Sequence, residues 1–180
     1  LKALIAQQAD ASLFCVGDDW QAIYRFTGSD VSLTKDFSSH FGYTATSILD
    51  KTFRFNNKIG EVASRFISEN PSQIQKIIHS HTQIETSAVS IVKTNNNEVG
   101  LDAALKKISE KTSKPASVLL LGRNNFNKPT NLNAIKKQYT NLHIASMTAH
   151  ESKGKEADYV IVLNLIKGKH GFPAEKVTNP

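Results

Sequence analysis

The spacing of apolar residues divides the chain into an irregular first half and a regular second half. Leu1, Leu4, Ile5 and Gln8 recur at helical spacing and predict a helix over residues 1–9. Leu13 to Val16 is an unbroken apolar run that stops in Gly17-Asp18-Asp19. A buried parallel strand feeding a loop at its carboxyl end has this pattern. Asp18 or Asp19 can cap a helix reaching about Phe26, which Gly28-Ser29-Asp30 breaks. Val31 to Phe41 predicts another short helix, stopped by Gly42. Thr44 to Leu49 is rich in β-formers. Asn56 or Asn57 then caps a helix with Ile59, Val62, Ala63, Phe66 and Ile67 on one face, ended by Asn70-Pro71. Residues 73–85 are polar and read as a connector with some extended structure.

From Ser87 the rhythm is regular. It predicts strand Ala88 to Val92, helix Val99 to Lys111, strand Ser117 to Leu121, helix Asn131 to Tyr139, strand Leu142 to Met147 and strand Tyr159 to Leu165. Strands alternating with helices at this spacing argue for right-handed crossovers and a mainly parallel sheet, and hence for an α/β fold class.

Composition narrows the partners. The 180 residues suit one domain or a little more. No apolar run approaches a membrane span, and residues 1–10 read as an amphipathic helix rather than a basic leader, so a cytoplasmic protein is expected. The single cysteine, Cys15, lies inside the first apolar run and is expected to be a small buried hydrophobe. One cysteine also excludes an intrachain disulfide and any Cys-cluster metal site. The net charge of +6, with a pI near 9.4, favours polyanionic partners without proving one. The chain begins without methionine with a helical pattern already under way, as a piece of a longer protein would.

Three strand-to-helix junctions carry the candidate chemistry. In Val16-Gly17-Asp18-Asp19-Trp20-Gln21-Ala22-Ile23-Tyr24-Arg25-Phe26, Gln21 brings an amide near a strand tip, where it can bond both a phosphate oxygen and a water. Tyr24 and Phe26 add flat faces suited to stacking. In Thr52-Phe53-Arg54-Phe55-Asn56-Asn57, Phe53 can stack on a planar ring and Arg54 presents a fork that fits phosphate oxygens. In the segment from Thr148 to Asp158, a hydroxyl, an imidazole (His150) and the Lys153-Gly154 turn are groups that contact a phosphodiester backbone. His79 and His81 belong to no motif and are expected to be solvated. No acid–base carboxylate pair and no Ser/His/Asp arrangement stands out.

Taken together and in this order, the three junctions resemble motifs III, IV and V of the UvrD/Rep-type superfamily 1 DNA helicases. The family patterns run V-G-D-x-x-Q-S-I-Y-x-[WF]-R-G-A, N-Y-R-S and T-x-H-x-[AS]-K-G-L-E-[FW]. Ala22, Thr27, Lys155 and Ala157 depart from them. Thr27 stands where the family has an arginine, so no role is carried to it. The wording around Asp19-Trp20 and Phe26-Thr27 most resembles the helicase IV branch, associated with a compact second lobe lacking a large 2B insertion.

The resemblance implies a RecA-like P-loop NTPase fold. Residues 1–30 would be the tail of the first lobe, carrying motif III, and residues 31–180 the second lobe (2A), carrying motifs IV and V. It implies an ATP-dependent 3′-5′ DNA helicase or translocase using ATP and Mg2+. Gln21 and Arg54 would act on the γ-phosphate, while Phe53, Gly154 and Glu156 would hold the nucleotide. Tyr24, Phe26, Thr148, His150 and Lys153 would line single-stranded DNA, with DNA junctions as further partners. No G-x-x-x-x-G-K-[ST] and no D-E-x-Q-D occurs in the chain, and the Arg-rich motif VI is also missing. The magnesium ligands would therefore lie outside it, and the chain alone is expected to be catalytically inactive. Two alternatives remain: a non-enzymatic single-stranded nucleic-acid-binding module with a RecA-like fold, and a different α/β nucleotide or methyl-donor enzyme. The oligomeric state is silent.

Overall fold

The structure is a computed structural model and describes residues 2–21, 30, 32–71, 73–168 and 172. Contacts divide the chain into two compact units, residues 1–90 and 91–180.

In the first unit, α1 (Lys2–Ile5) is followed by one 3-10 turn at Asp19–Gln21. The helix expected over residues 31–41 is two short pieces, α2 (Ser32–Lys35) and α3 (Phe37–Phe41), parted at Asp36. Gly42 ends the second piece at φ 86°, a left-handed conformation suited to glycine. Strand β1 (Lys51–Thr52) leads to α4 (Asn57–Ser68), and β2 (His79–Ser80) pairs with β1 in parallel, Lys51 opposite His79 and Thr52 opposite Ser80. Asn56 is the cap of α4, its side chain accepting from Ile59 N at 3.1 Å. Gly60 lets this helix lie close to β2: a Cβ there would meet Phe55 Cε2 at 3.1 Å and Ser80 Oγ at 3.2 Å.

Three expected strands do not form. Leu13 to Val16 pairs with no strand among the described residues; Phe14 is 90% exposed, Val16 79%, and Cys15 is exposed rather than buried. An apolar run becomes a strand only when neighbours satisfy its backbone, and here none is paired to it. The same holds for Thr44 to Leu49, where pairing begins later, at Lys51, and for Ala88 to Val92.

The second unit follows the sequence pattern closely. Helix α5 (Asn97–Lys111) starts at Asn96, whose side chain accepts from Glu98 N at 2.9 Å and Val99 N at 3.3 Å. Then come β3 (Ala116–Gly122), a 3-10 turn at Asn125–Asn127, α6 (Leu132–Gln138), β4 (Leu142–Thr148) and β5 (Tyr159–Val162), which is shorter than expected. The three strands form a parallel sheet in the order β4-β3-β5, with Gly122 opposite Thr148 and Val118 opposite Tyr159. Leu101 and Leu105 of α5 pack with Val118, Leu120, Leu142, Ile144 and Tyr139 into the core. Leu105 and Leu120 are fully buried. The Tyr139 hydroxyl donates to Asp102 Oδ1 at 2.6 Å and ties the end of α6 to α5. The architecture is α/β, with parallel sheets flanked by helices.

Candidate functional site

In the first unit, the Asp18-Asp19-Trp20-Gln21 segment folds onto residues 74–76. Asp19, 2% exposed, accepts from Ile74 N through Oδ2 at 2.7 Å and meets the Lys76 ammonium through Oδ1. Trp20 Nε1 donates to the Ile74 carbonyl at 3.0 Å, and Lys76 Nζ lies 5.4 Å from the Trp20 ring centre. Asp18 Oδ1 accepts from Lys76 Nζ at 2.7 Å, while Oδ2 accepts from Gln21 Nε2 at 2.8 Å. Burial pushes the Asp18 carboxyl up, but Lys76 and Gln21 outweigh it and hold it below the usual carboxylate range. Burial likewise lowers Lys76, and the two aspartates outweigh that and raise it. Removing one member of a buried ion pair costs about 3–5 kcal/mol, so Asp19 depends on its cation.

Phe53 and Arg54 follow β1 directly, at the entrance to α4. Phe53 is 68% exposed, its ring 4.8 Å from that of His81 and 5.3 Å from Lys51 Nζ. Thr52 Oγ1 accepts from Arg54 N at 3.3 Å and tightens the turn that presents the guanidinium. Asn57 fixes the facing segment: its Oδ1 accepts from Ile84 N at 2.8 Å, its Nδ2 donates to Ile84 O at 3.2 Å, and its backbone N donates to Thr82 O at 3.1 Å. His81 is exposed, as expected, yet it also lies against Phe53. An exposed aromatic face beside an arginine and a lysine fits a purine with phosphates attached. Among the described residues no group of three or more His, Cys, Asp or Glu has metal-holding geometry.

In the second unit, the Thr148-to-Glu156 turn hangs from the end of β4. Thr148 is buried; its N donates to Glu151 Oε2 at 2.7 Å and its Oγ1 accepts from Glu151 N at 3.2 Å. This reciprocal pair is the S/T-x-x-E capping signature. Lys128 Nζ reaches the same Glu151 oxygen at 3.3 Å. The Thr148 amide, then Lys128, hold the Glu151 carboxyl below its ordinary range. Ala149 N donates to Gly122 O at 2.9 Å, docking the turn on β3. Gly154 has φ +78° with no atom near a would-be Cβ. His150, Lys153, Gly154 and Glu156 are exposed around this turn. Below it, Asp158 Oδ2 accepts from Ser117 N at 2.8 Å and Ser117 Oγ at 2.6 Å, clamping the starts of β3 and β5.

The structure therefore places Phe53 beside Arg54 in the first unit, and Thr148, His150, Lys153 and Gly154 at one turn of the second, with Glu156 exposed two residues beyond it. Gln21 sits in the first unit beside Asp18. Tyr24 and Phe26 lie outside the described residues. Sequence reading missed Lys76, Glu151, Lys128 and Asp158. The Thr148-x-x-Glu151 spacing could have announced Glu151, whereas nothing local marks Lys76.

The family profile described as the UvrD/REP helicase N-terminal domain matches residues 1–42. DNA helicase IV of Escherichia coli (strain K12) is 44% identical over 174 residues, which is 97% of this chain and 25% of that protein. The chain thus spans about a quarter of the length of the curated relative it matches. No solved structure matches the chain. Among the described residues no helix is long and apolar enough to cross a membrane. With three motifs in family order, a profile matched at the amino end and this identity along almost all of its length, the chain is a segment of UvrD-type helicase sequence.

Proposed function

We propose that the chain works as part of a cytoplasmic, ATP-dependent 3′-5′ DNA helicase or translocase that couples ATP hydrolysis to movement along single-stranded DNA, including at junctions. Residues 1–30 complete a first RecA-like lobe and residues 31–180 form the second. Phe53 stacks on adenine, and Glu156, with the Gly154 turn, holds the ribose side of the nucleotide. Arg54 places its guanidinium on the γ-phosphate, where charge builds during transfer. Gln21 orients the attacking water and registers whether the γ-phosphate is present. Thr148, His150 and Lys153 grip the DNA backbone, and Tyr24 and Phe26 stack its bases. Stacking worth about 1–3 kcal/mol per base holds a strand and still releases it each cycle. With Walker-type sequences absent from the chain, turnover belongs to the intact protein, and the chain alone is inactive.

The observation that carries the reading is the 44% identity to DNA helicase IV, inside which all three motifs fall. The exposed Phe53 ring next to Arg54 supports the nucleotide end of it. Arg54→Ala in the intact protein should abolish DNA-stimulated ATP turnover and leave single-stranded DNA affinity nearly unchanged. Ordinary turnover in that variant would remove Arg54 from the chemistry, whereas no DNA-stimulated turnover in the unmodified intact protein would favour the non-enzymatic binding module.

A further inference from the structure

We propose that Lys76 is a positioning residue for Gln21, acting through Asp18; the inference rests on the role given to Gln21 above. Lys76 stands 58 residues from Asp18, in the polar connector, and matches none of the three motifs. The Asp18 carboxylate is split between two duties. Its Oδ1 accepts from Lys76 Nζ at 2.7 Å and Trp20 N at 3.1 Å, and its Oδ2 accepts from Gln21 Nε2 at 2.8 Å. Because a carboxylate only accepts, this contact also decides which end of the Gln21 amide is nitrogen and which is oxygen. The oxygen, the end able to take a hydrogen from a water, is set by the partner of the other.

An isolated ion pair at a surface would not hold such a relay, since its two long side chains wander. Lys76 is fixed by more than Asp18. It meets the fully buried Asp19 carboxylate, lies over the Trp20 ring at 5.4 Å, and belongs to an irregular segment whose Ile74 amide and carbonyl bond Asp19 and Trp20 at 2.7 and 3.0 Å. Residues 18–20 and 74–76 thus form one clamp, with Asp18 as its outward arm. The carboxyl of Asp18, held below its ordinary range, stays ionised through neutral pH and keeps accepting from the amide.

Asp18→Ala isolates the relay, because Asp18 is half-exposed and its loss leaves the Asp19–Lys76 pair in place. In the intact protein, with ATP and an oligo-dT strand, this variant should lower kcat for ATP turnover about 10- to 100-fold, the scale of a small misplacement of a catalytic group. KM for ATP and the thermal midpoint should stay near those of the parent. Asp18→Ala combined with Gln21→Ala should be no slower than Gln21→Ala alone. The double variant Lys76→Met with Asp19→Asn removes the cation without stranding a buried anion, and should show the same kcat loss. Normal turnover in Asp18→Ala beside an inactive Gln21→Ala would overturn the relay and leave Gln21 in its role. Losses that add in the combined variant would overturn it equally. Normal turnover in Gln21→Ala would sink the reading of Gln21, and the relay with it.

Discussion

Tyr139→Phe should erase a specific alkaline weakness of the second unit. The hydroxyl of Tyr139 donates to Asp102 Oδ1 at 2.6 Å and to the Asp102 carbonyl at 3.1 Å, and the ring is 7% exposed. Burial, then the neighbouring Asp102 carboxylate, pushes the phenol up from 10.0 to about 12. A group whose pKa is raised by folding stabilises the native state below its unfolded pKa and stops doing so as pH climbs through the folded value. The contribution is thus complete below pH 10 and disappears towards pH 12. Linkage over that interval gives a loss of about 1.4 kcal/mol by pH 11 and about 2.3 kcal/mol by pH 12. Near pH 8 the variant should be less stable by about 1–3 kcal/mol, the worth of a hydrogen bond to a charged acceptor. The two proteins should therefore converge as pH rises. Urea titrations read on the methyl signals of Leu105 and Leu120 report on this core alone. Lysine and other tyrosine ionisations affect both proteins and cancel in the difference. A gap that stays constant from pH 8 to 12 would refute the assignment.

Other perturbations test the remaining geometry. Leu105→Ala, at a fully buried core position, should cost about 2–5 kcal/mol in the same urea titration. Asn56→Ala removes the acceptor for Ile59 N and should cost about 1 kcal/mol of α4 stability, visible as faster amide exchange along residues 57–60. Gly154→Ala meets no neighbour, so its expected cost of about 1–2 kcal/mol is purely the left-handed backbone, measurable as a lowered urea midpoint. Glu151 has a lowered pKa; its stabilisation holds above its ordinary value of 4.5 and fades as pH falls through the folded one. Glu151→Gln should accordingly flatten the acid side of the stability profile, tracked on the Thr148 amide resonance.

The elements that periodicity revealed are those whose neighbours lie within the same unit. Along β3, both faces are covered, and the run from Ala116 to Leu121 reads as an interior strand because it is one. Helix α5 was legible from the spacing of Leu101, Leu105 and Ile108, which face the core. Leu13 to Val16 has the same apolar signature but no paired neighbour among the described residues, so the pattern records a burial that the chain does not supply there. For the candidate site, motif order located Phe53, Arg54 and the Thr148 turn, since each sits at the end of a strand followed by a turn or helix. Lys76 was invisible because an ion pair closing a long loop leaves no periodic trace, and residues 73–85 offered only polar composition.

The clamp of Ser117 on Asp158 has a consequence for the whole length of β5. Side chains along β5 alternate, Tyr159 and Ile161 inward and Val160 and Val162 outward, so a slip of one position would exchange the two sets. By pinning the first rung of the ladder, Asp158 acts as a zero mark against which every later rung is counted. Glu156, two positions before that mark, inherits its coordinates from it. The segment carrying Glu156 thus enters β5 at a position set by a serine of β3.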